Sequence, residues 1–308
     1  MAKNLRKTKS KIGKTPFTPL TVVMLVVLLL YTLTLIWLLY WGVITSLKGR
    51  YEFIKNTYKL PIKAVTDNFI TIFTKFRIDV DGGKSVGMAQ MYLYSVLYAV
   101  GCAITNTAVP CVTAYFCAKF KYKWSKVMHT TVIIAMIIPV VGSLPSEIQV
   151  ADFFGLRNHI WGLWIMKANF LGLYFLVFYA FFASLPDSYI EAAKIDGAGN
   201  VSVLVKIALP LARSIFFTVL LVNFIAYWND YQTPLVYIRD KYPTAAFGVF
   251  RLSTLTNFPN PDNPSRPISV TVPIKVAGAV MLFTPMLILF ILTNKMLLGN
   301  LNVGGIKG

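Results

Sequence analysis

The sequence predicts an all-α membrane protein with six transmembrane helices. Three observations carry the prediction. Of the 308 residues, 56% are hydrophobic and only 14% are charged, against about 25% charged in a soluble domain. The apolar residues gather into six runs, each near the roughly 20 residues that an α-helix needs to cross a bilayer. The net charge of +18, from 30 Lys+Arg against 12 Asp+Glu, includes acid-free basic clusters beside those runs, the pattern of cytoplasmic loops. A membrane therefore accounts for the basic excess, and no nucleic-acid partner is needed to explain it.

In chain order, residues 1–19 form a basic tail with Lys3, Arg6, Lys7, Lys9, Lys11 and Lys14 and no acid, which assigns the N-terminus to the cytoplasm. The first span, Leu20–Ser46, follows Pro16 and Pro19. It is too long for the apolar region of a cleaved signal and has no small-residue cleavage site after it, so it is expected to be retained. The 47–92 connection then falls outside, although it holds eight basic residues against four acidic ones. Its segment DNFITIFTKF reads as a short amphipathic helix lying on the membrane. Its DGGKS at 81–85 has Ile78 where a phosphate-binding loop needs its first glycine, so it reads as a polar turn. The second span is Leu93–Cys117. The 118–127 loop, with Lys119, Lys121, Lys123 and Lys126 and no acid, returns to the inside. Met128–Glu147, Trp161–Ser184, Ser214–Tyr237 and Val272–Asn294 complete the six, placing the 185–213 connection and the C-terminal tail inside. The external loop 238–271 contains TNFPNPDNPSRP, too rich in Pro and Asn for regular structure.

Enzyme chemistry has no foothold. Cys102, Cys111 and Cys117 share one apolar segment and read as buried hydrophobes. His129 and His159 lack metal-ligand spacing, and no HExxH, CxxC or GxSxG occurs. Polar groups at membrane depth are functional candidates by default. They are Asn106 and Thr107 in the second span, Lys167 and Asn169 in the fourth, and Asn223, Asn229 and Asp230 in the fifth. Lys167 either snorkels to the outer edge or faces a cavity. Tyr174, Tyr179 and Trp228 are expected to pack or to anchor at an interface rather than to hold a ligand.

The 185–213 connection is more elaborate than a turn. Ser188 and Glu191 have capping-box spacing, Ala192 and Ala193 favour helix, and Gly197 stands where a left-handed cap is wanted. A helix of about 8 residues results, and a second helix follows that Pro210 is expected to stop. Asp187, Glu191 and Asp196 balance Lys194, Lys206 and Arg213, whereas a helix lying on lipid is basic. The charge balance favours a protein partner.

EAAKIDGAGNVSVLVKIALP, residues 191–210, fits the pattern EAA-x3-G-x9-I-x-L-P of the integral permease subunits of ABC importers. AITNTAVPCVTAYFCAKFKYKWSK resembles the second-span region of the sugar-type members, FGLRNHIWGLW the stretch before their fourth span, and YWNDYQTPLVYI their fifth. The ending LNVGGIKG resembles the tail of the carbohydrate-uptake, maltose-type branch.

The resemblance implies a type I ABC importer permease fold with a cytoplasmic EAA coupling helix. The permease core would be 93–296, after a first helix and external loop at 20–92 and before a C-terminal tail at 297–308. It implies four partners: a second permease subunit forming a heterodimer, a cytoplasmic ABC ATPase dimer, a solute-binding protein, and a carbohydrate. No cofactor is expected on this chain, since ATP would be bound by the ATPase. The chain would be a non-enzymatic, multi-pass component of a bacterial cell membrane with both termini in the cytoplasm. Glu191, Ala192, Ala193 and Gly197 become ATPase-coupling candidates, with Glu191 either capping its helix or pairing with the ATPase. Asn106, Lys167, Asn229 and Asp230 become candidates for the substrate pathway. Gly304–Gly308 would reach the ATPase or end free, and the 238–271 loop would meet the binding protein or serve as a plain connector. Two alternatives stay open: an ABC permease for a non-sugar solute, and an ion-coupled secondary transporter, for which the sequence lacks internal repeats.

Overall fold

The computed structural model describes residues 18–120, 122–138 and 141–301, with side chains to residue 293. The basic residues expected before Pro16, Lys121 and the terminal GGIKG lie outside the described residues.

Helix α1 (Pro19–Ser46) begins at Thr18, whose hydroxyl accepts from the Thr21 amide at 3.3 Å. It is about 42 Å long and exposes Leu, Val and Ile around its whole circumference, as suits a lipid-facing span. Helices α2 (Arg50–Lys55) and α3 (Asp67–Lys75) follow, then antiparallel strands β1 (Arg77–Val80) and β2 (Lys84–Gly87). The DGGKS segment turns this hairpin. A strand does precede it, which sequence reading missed, but the chain then enters β2 instead of a phosphate-facing helix. Helix α3 packs part of its apolar side on the protein: Ile72 is fully buried with Phe76, Met88 and Met91, whereas Ile70 and Phe73 stay exposed.

Helix α4 (Met88–Lys119) is the spine, 32 residues long or about 48 Å. Helix α5 (Lys123–Ile137) is only 15 residues. The expected third span, Met128–Glu147, is therefore not one helix. Ile138 is extended, at ψ 117°, as the residue before Pro139 prefers, and the chain resumes in α6 (Leu144–Phe153). The fourth expected span is broken as well, into α7 (Ile160–Met166) and α8 (Leu173–Ser184). There the Asn169 side-chain oxygen accepts from the Leu171 amide at 3.1 Å, a local turn that competes with helix.

After α9 (Ser188–Ile195), α10 (Asn200–Val203) runs through a π-helical turn at Leu204–Ala208 into α11 (Leu209–Asn229). Pro210 does not stop this helix, as the sequence reading expected. The Leu209 amide bonds the Leu204 carbonyl, five residues back, and the widened turn accommodates a proline that would clash with a regular α-turn. The fifth span thus runs Asn200–Asn229 instead of Ser214–Tyr237, and α12 (Gln232–Tyr237) is a separate short helix. Helix α13 (Ala245–Thr254), strands β3 (Asn257–Phe258) and β4 (Ile268–Ser269), and α14 (Val272–Leu301) complete the chain. The 238–271 loop thus holds a helix and a short strand pair, while residues 259–267 of its Pro- and Asn-rich stretch are irregular, as expected. Among the described residues, four helices are long and apolar enough to cross a membrane: Pro19–Ser46, Met88–Lys119, Asn200–Asn229 and Val272–Thr293. The α8–α9 pair, bent by 71°, forms a further broken span by the same measure.

Four buried clusters are strung along α4, one of them Ala99 with Trp228 and Met286. Met88 and Met91 pack with Ile72, Val86 and Leu252; Tyr98 and Cys102 with Leu163 and Ile238; Cys111 and Tyr115 with Phe178, Phe182 and Ala208. Helix α7 comes closest where Gly101 lies against the Trp164 indole. A Cβ on Gly101 would sit 2.0 Å from Trp164 Nε1, which donates to the Leu97 carbonyl at 3.1 Å. The β1–β2 layer and α9 therefore sit at opposite ends of the same helix.

Candidate functional site

Two regions hold the candidate residues. The first is α9, at the Lys119 end of α4. Its length matches the sequence reading, but its start does not. The N-cap is Asp187, not Ser188, and the Glu191 amide donates to the Asp187 carbonyl at 2.9 Å. The Ser188–Glu191 capping box is not formed, because the chain is already helical at Asp187 (φ −65°, ψ −21°) and Ser188 falls one position too far in. Asp187 instead receives the Lys119 ammonium at 2.8 Å. Lys119 also donates to the Leu185 carbonyl, and its side chain is only 4% exposed. A residue that charge counting read as a loop cation is thus a buried tie between α4 and this connection.

The end of α9 is as expected. Gly197 has φ +81°; its amide bonds Lys194 O at 3.0 Å, and the Ala198 amide bonds Ala193 O at 2.9 Å, the paired bonds of a Schellman cap. Ala193 is buried against the protein, whereas Glu191, Ala192 and Gly197 are exposed. The Glu191 carboxylate makes no hydrogen bond or ion pair among the described residues. It lines a hollow of about 400 Å³ with Lys119, Phe120, Tyr122, Asp187 and Lys194. Tyr189, Ile195 and Val201 leave apolar surface exposed alongside.

The second region is a polar seam between α4 and α11. Asn106 donates to the Tyr227 hydroxyl at 2.8 Å and to Asn223 Oδ1 at 3.3 Å, and Asn223 donates to the Thr107 hydroxyl at 3.0 Å. Nearer the Met88 end of α4, the Tyr98 hydroxyl donates to Asp230 Oδ2 at 2.9 Å, and Asp230 Oδ1 accepts the Thr233 amide at 3.0 Å. Tyr98 and Tyr227 meet edge to face at 5.8 Å. Polar groups away from water must find partners within the protein, and this chain of bonds supplies them.

The structure brings Asn106 and Asp230 into this seam but leaves Asn229 out. Asn229 is exposed, and its amide folds back onto the Ile225 carbonyl at 2.9 Å. Trp228 packs inward and donates to Leu282 O at 3.0 Å. Sequence reading missed Tyr98 and Tyr227. Their signal was four-residue spacing, Tyr98–Cys102–Asn106 on one helix and Asn223–Tyr227 on the other. Asn106 also lines a cavity of about 330 Å³ with Pro110, Asn169, Phe170, Tyr174 and Phe175, where the α7–α8 break faces α4. Lys167, half-buried, caps α7 at that break.

Comparison with known proteins places these features in context. Residues 111–298 match the family described as binding-protein-dependent transport system inner membrane component. The chain is 28% identical to the diacetylchitobiose uptake system permease protein NgcG of Streptomyces coelicolor, over 70% of this chain and 68% of that one. It is likewise 28% identical to the melibiose/raffinose/stachyose import permease protein MelC of Bacillus subtilis, over 63% and 67% of the two chains. The fold matches a chain of a bacterial ABC transporter that imports the acidic polysaccharide alginate. The TM-score is 0.71 at 21% identity, covering 90% of this chain and 95% of that one. The matched stretch contains α9, the Gly197 cap and the α11 side of the seam, and the chain belongs to the family of binding-protein-dependent transport system inner membrane components.

Proposed function

We propose that this chain is a permease subunit of an ABC importer that carries a carbohydrate across a bacterial cell membrane, with ATP hydrolysed by a partner. The observation that carries the reading is α9: a short, capped, charge-balanced helix with an exposed acid and exposed apolar side chains, in the family-matched stretch. A surface of that composition fits a protein groove better than a lipid headgroup layer. The sugar relatives NgcG and MelC support the solute class.

In this reading Glu191, Ala192 and Gly197 dock on the ATPase dimer, while Ala193 holds the helix to its own protein. Both termini lie in the cytoplasm, residues 93–296 form the permease core, and a second permease completes the pathway. The opposite end of α4 carries the β1–β2 layer, which with α13 offers a folded outer face to a solute-binding protein. The chain contributes no catalytic group and no cofactor; it converts closure of the ATPase into movement of the spans. Asn106 and Asp230 lie along that movement, at the joint between α4 and α11.

Replacing Gly197 tests the docking role. A Val at φ +81° is strained by about 1–2 kcal/mol. Gly197→Val is therefore expected to lower co-purification of the ATPase severalfold while membrane insertion persists. Unchanged recovery of the ATPase would count against α9 as the docking element.

A further inference from the structure

The start of α5 is basic where α9 is balanced. Tyr122, Lys123, Trp124 and Lys126 are exposed, Trp124 by 75%. Neither of these lysines makes a hydrogen bond or ion pair among the described residues. Helix α5 carries no acid. Asp187, Glu191 and Asp196 belong to the 185–213 connection, where Asp187 already receives Lys119. The charge rule that sets α9 apart from a lipid-surface helix puts the first turns of α5 on the lipid side.

Beside these residues lies an apolar hollow of about 320 Å³, with Phe116, Cys117, Phe120, Trp124, Met128 and Asn200 in its wall. Its depth follows from the spans. Phe116 and Cys117 stand in the last turn of Met88–Lys119, and Asn200 opens Asn200–Asn229. Two long apolar helices end at the hollow, which places it at the edge of the bilayer, the level at which Trp and Tyr gather.

The hollow is distinct from the one that Glu191 lines. Phe120 and Tyr122, stacked at 6.1 Å with 5° between their planes, contribute to both and form the partition. On the α9 side, Lys194 lies over the Phe120 ring at 5.5 Å. A soluble anion would use the free lysines but not the carbon wall. A phospholipid uses both, since basic pockets between spans hold anionic headgroups.

We propose that this hollow holds an anionic phospholipid of the leaflet on the α9 side. An acyl chain lies against Phe116, Trp124 and Met128, and Lys123 and Lys126 receive the headgroup phosphate. The site is independent of the solute that the chain carries.

The test uses the purified full chain in phosphatidylcholine nanodiscs. A small fraction of the lipid is brominated phosphatidylglycerol or brominated phosphatidylcholine, and bromine quenches nearby tryptophan. The phosphatidylglycerol is expected to quench more at equal fraction, and Trp124→Phe to remove that excess, which places the lipid at this hollow. Lys123→Gln with Lys126→Gln should weaken phosphatidylglycerol binding about tenfold. Lys123→Arg with Lys126→Arg should retain it, which separates loss of charge from loss of fold. Lys59→Gln with Lys63→Gln, an exposed pair between α2 and α3, should leave it unchanged. Equal quenching by the two lipids, or an excess that survives Trp124→Phe, overturns the proposal. So does binding that persists in the glutamine pair at 123 and 126, or that falls in the arginine pair or in the Lys59 and Lys63 pair.

Discussion

The second and fifth spans and the third and fourth began as similar apolar runs, and they fold differently. Helices α4 and α11 are continuous and packed against each other, and their polar side chains are paired in the seam. The other two segments break inside the apolar run, at Ile138 and at Lys167–Gly172. Hydropathy is nearly blind to this difference, because a break needs only one local competitor: a proline after Ile138, an amide side chain at Asn169. The unbroken pair supplies a rigid joint. The broken fourth span places Asn169, Phe170 and Tyr174 around a cavity, where irregular backbone at membrane depth is tolerated.

Breaking the contact between the two classes should have the largest effect. Gly101→Val places side-chain atoms where the Trp164 indole lies and is expected to destabilise the protein by about 3 kcal/mol, read as a lowered thermal midpoint in detergent; a midpoint equal to wild type would mean that α4 and α7 do not pack as described. Next is the seam. Asn223→Leu removes the donor to the Thr107 hydroxyl and one of the two acceptors of the Asn106 amide, which keeps its bond to Tyr227, and should cost about 1–2 kcal/mol. A double-mutant cycle with Asn106→Leu should show that the two effects are not additive, and strict additivity would argue that the bonds are not coupled.

These effects mark what the sequence could and could not convey. Apolar run length located the first, second and last spans, but not the breaks in the third and fourth or the start of the fifth, and the φ > 0 demand after a short helix located Gly197. The 8 residues of α9 came from the same local signals. The seam was half legible, since Asn106 and Asp230 stand out in an apolar run. Their partners Tyr227 and Tyr98 lie 121 and 132 residues away, and no local pattern pairs them. Lys119 was misread for the same reason, as its acid is 68 residues distant. Pro210 was misread because the proline rule presumes a regular α-turn, and the preceding π turn removes the clash.

Smaller effects sharpen the comparison further. Asp187→Asn weakens the Lys119 tie and is expected to cost about 1 kcal/mol, discounted because the aspartate side chain is 58% exposed. Faster hydrogen exchange across 185–199 would report it, and unchanged exchange would mean that the tie does not hold the loop. Asn169→Ala removes the local turn and should alter stability by only about 0.5 kcal/mol. A cysteine placed at Leu171 should then become less reactive to water-soluble thiol reagents as α7 and α8 straighten, whereas unchanged reactivity would show that another contact holds the break open.

The most direct measurement of the central claim is solute uptake into vesicles holding the permease with its ATPase and binding protein. The account predicts accumulation of a carbohydrate that requires ATP and is indifferent to collapse of ion gradients. Accumulation that continues without ATP and follows an imposed ion gradient would contradict it.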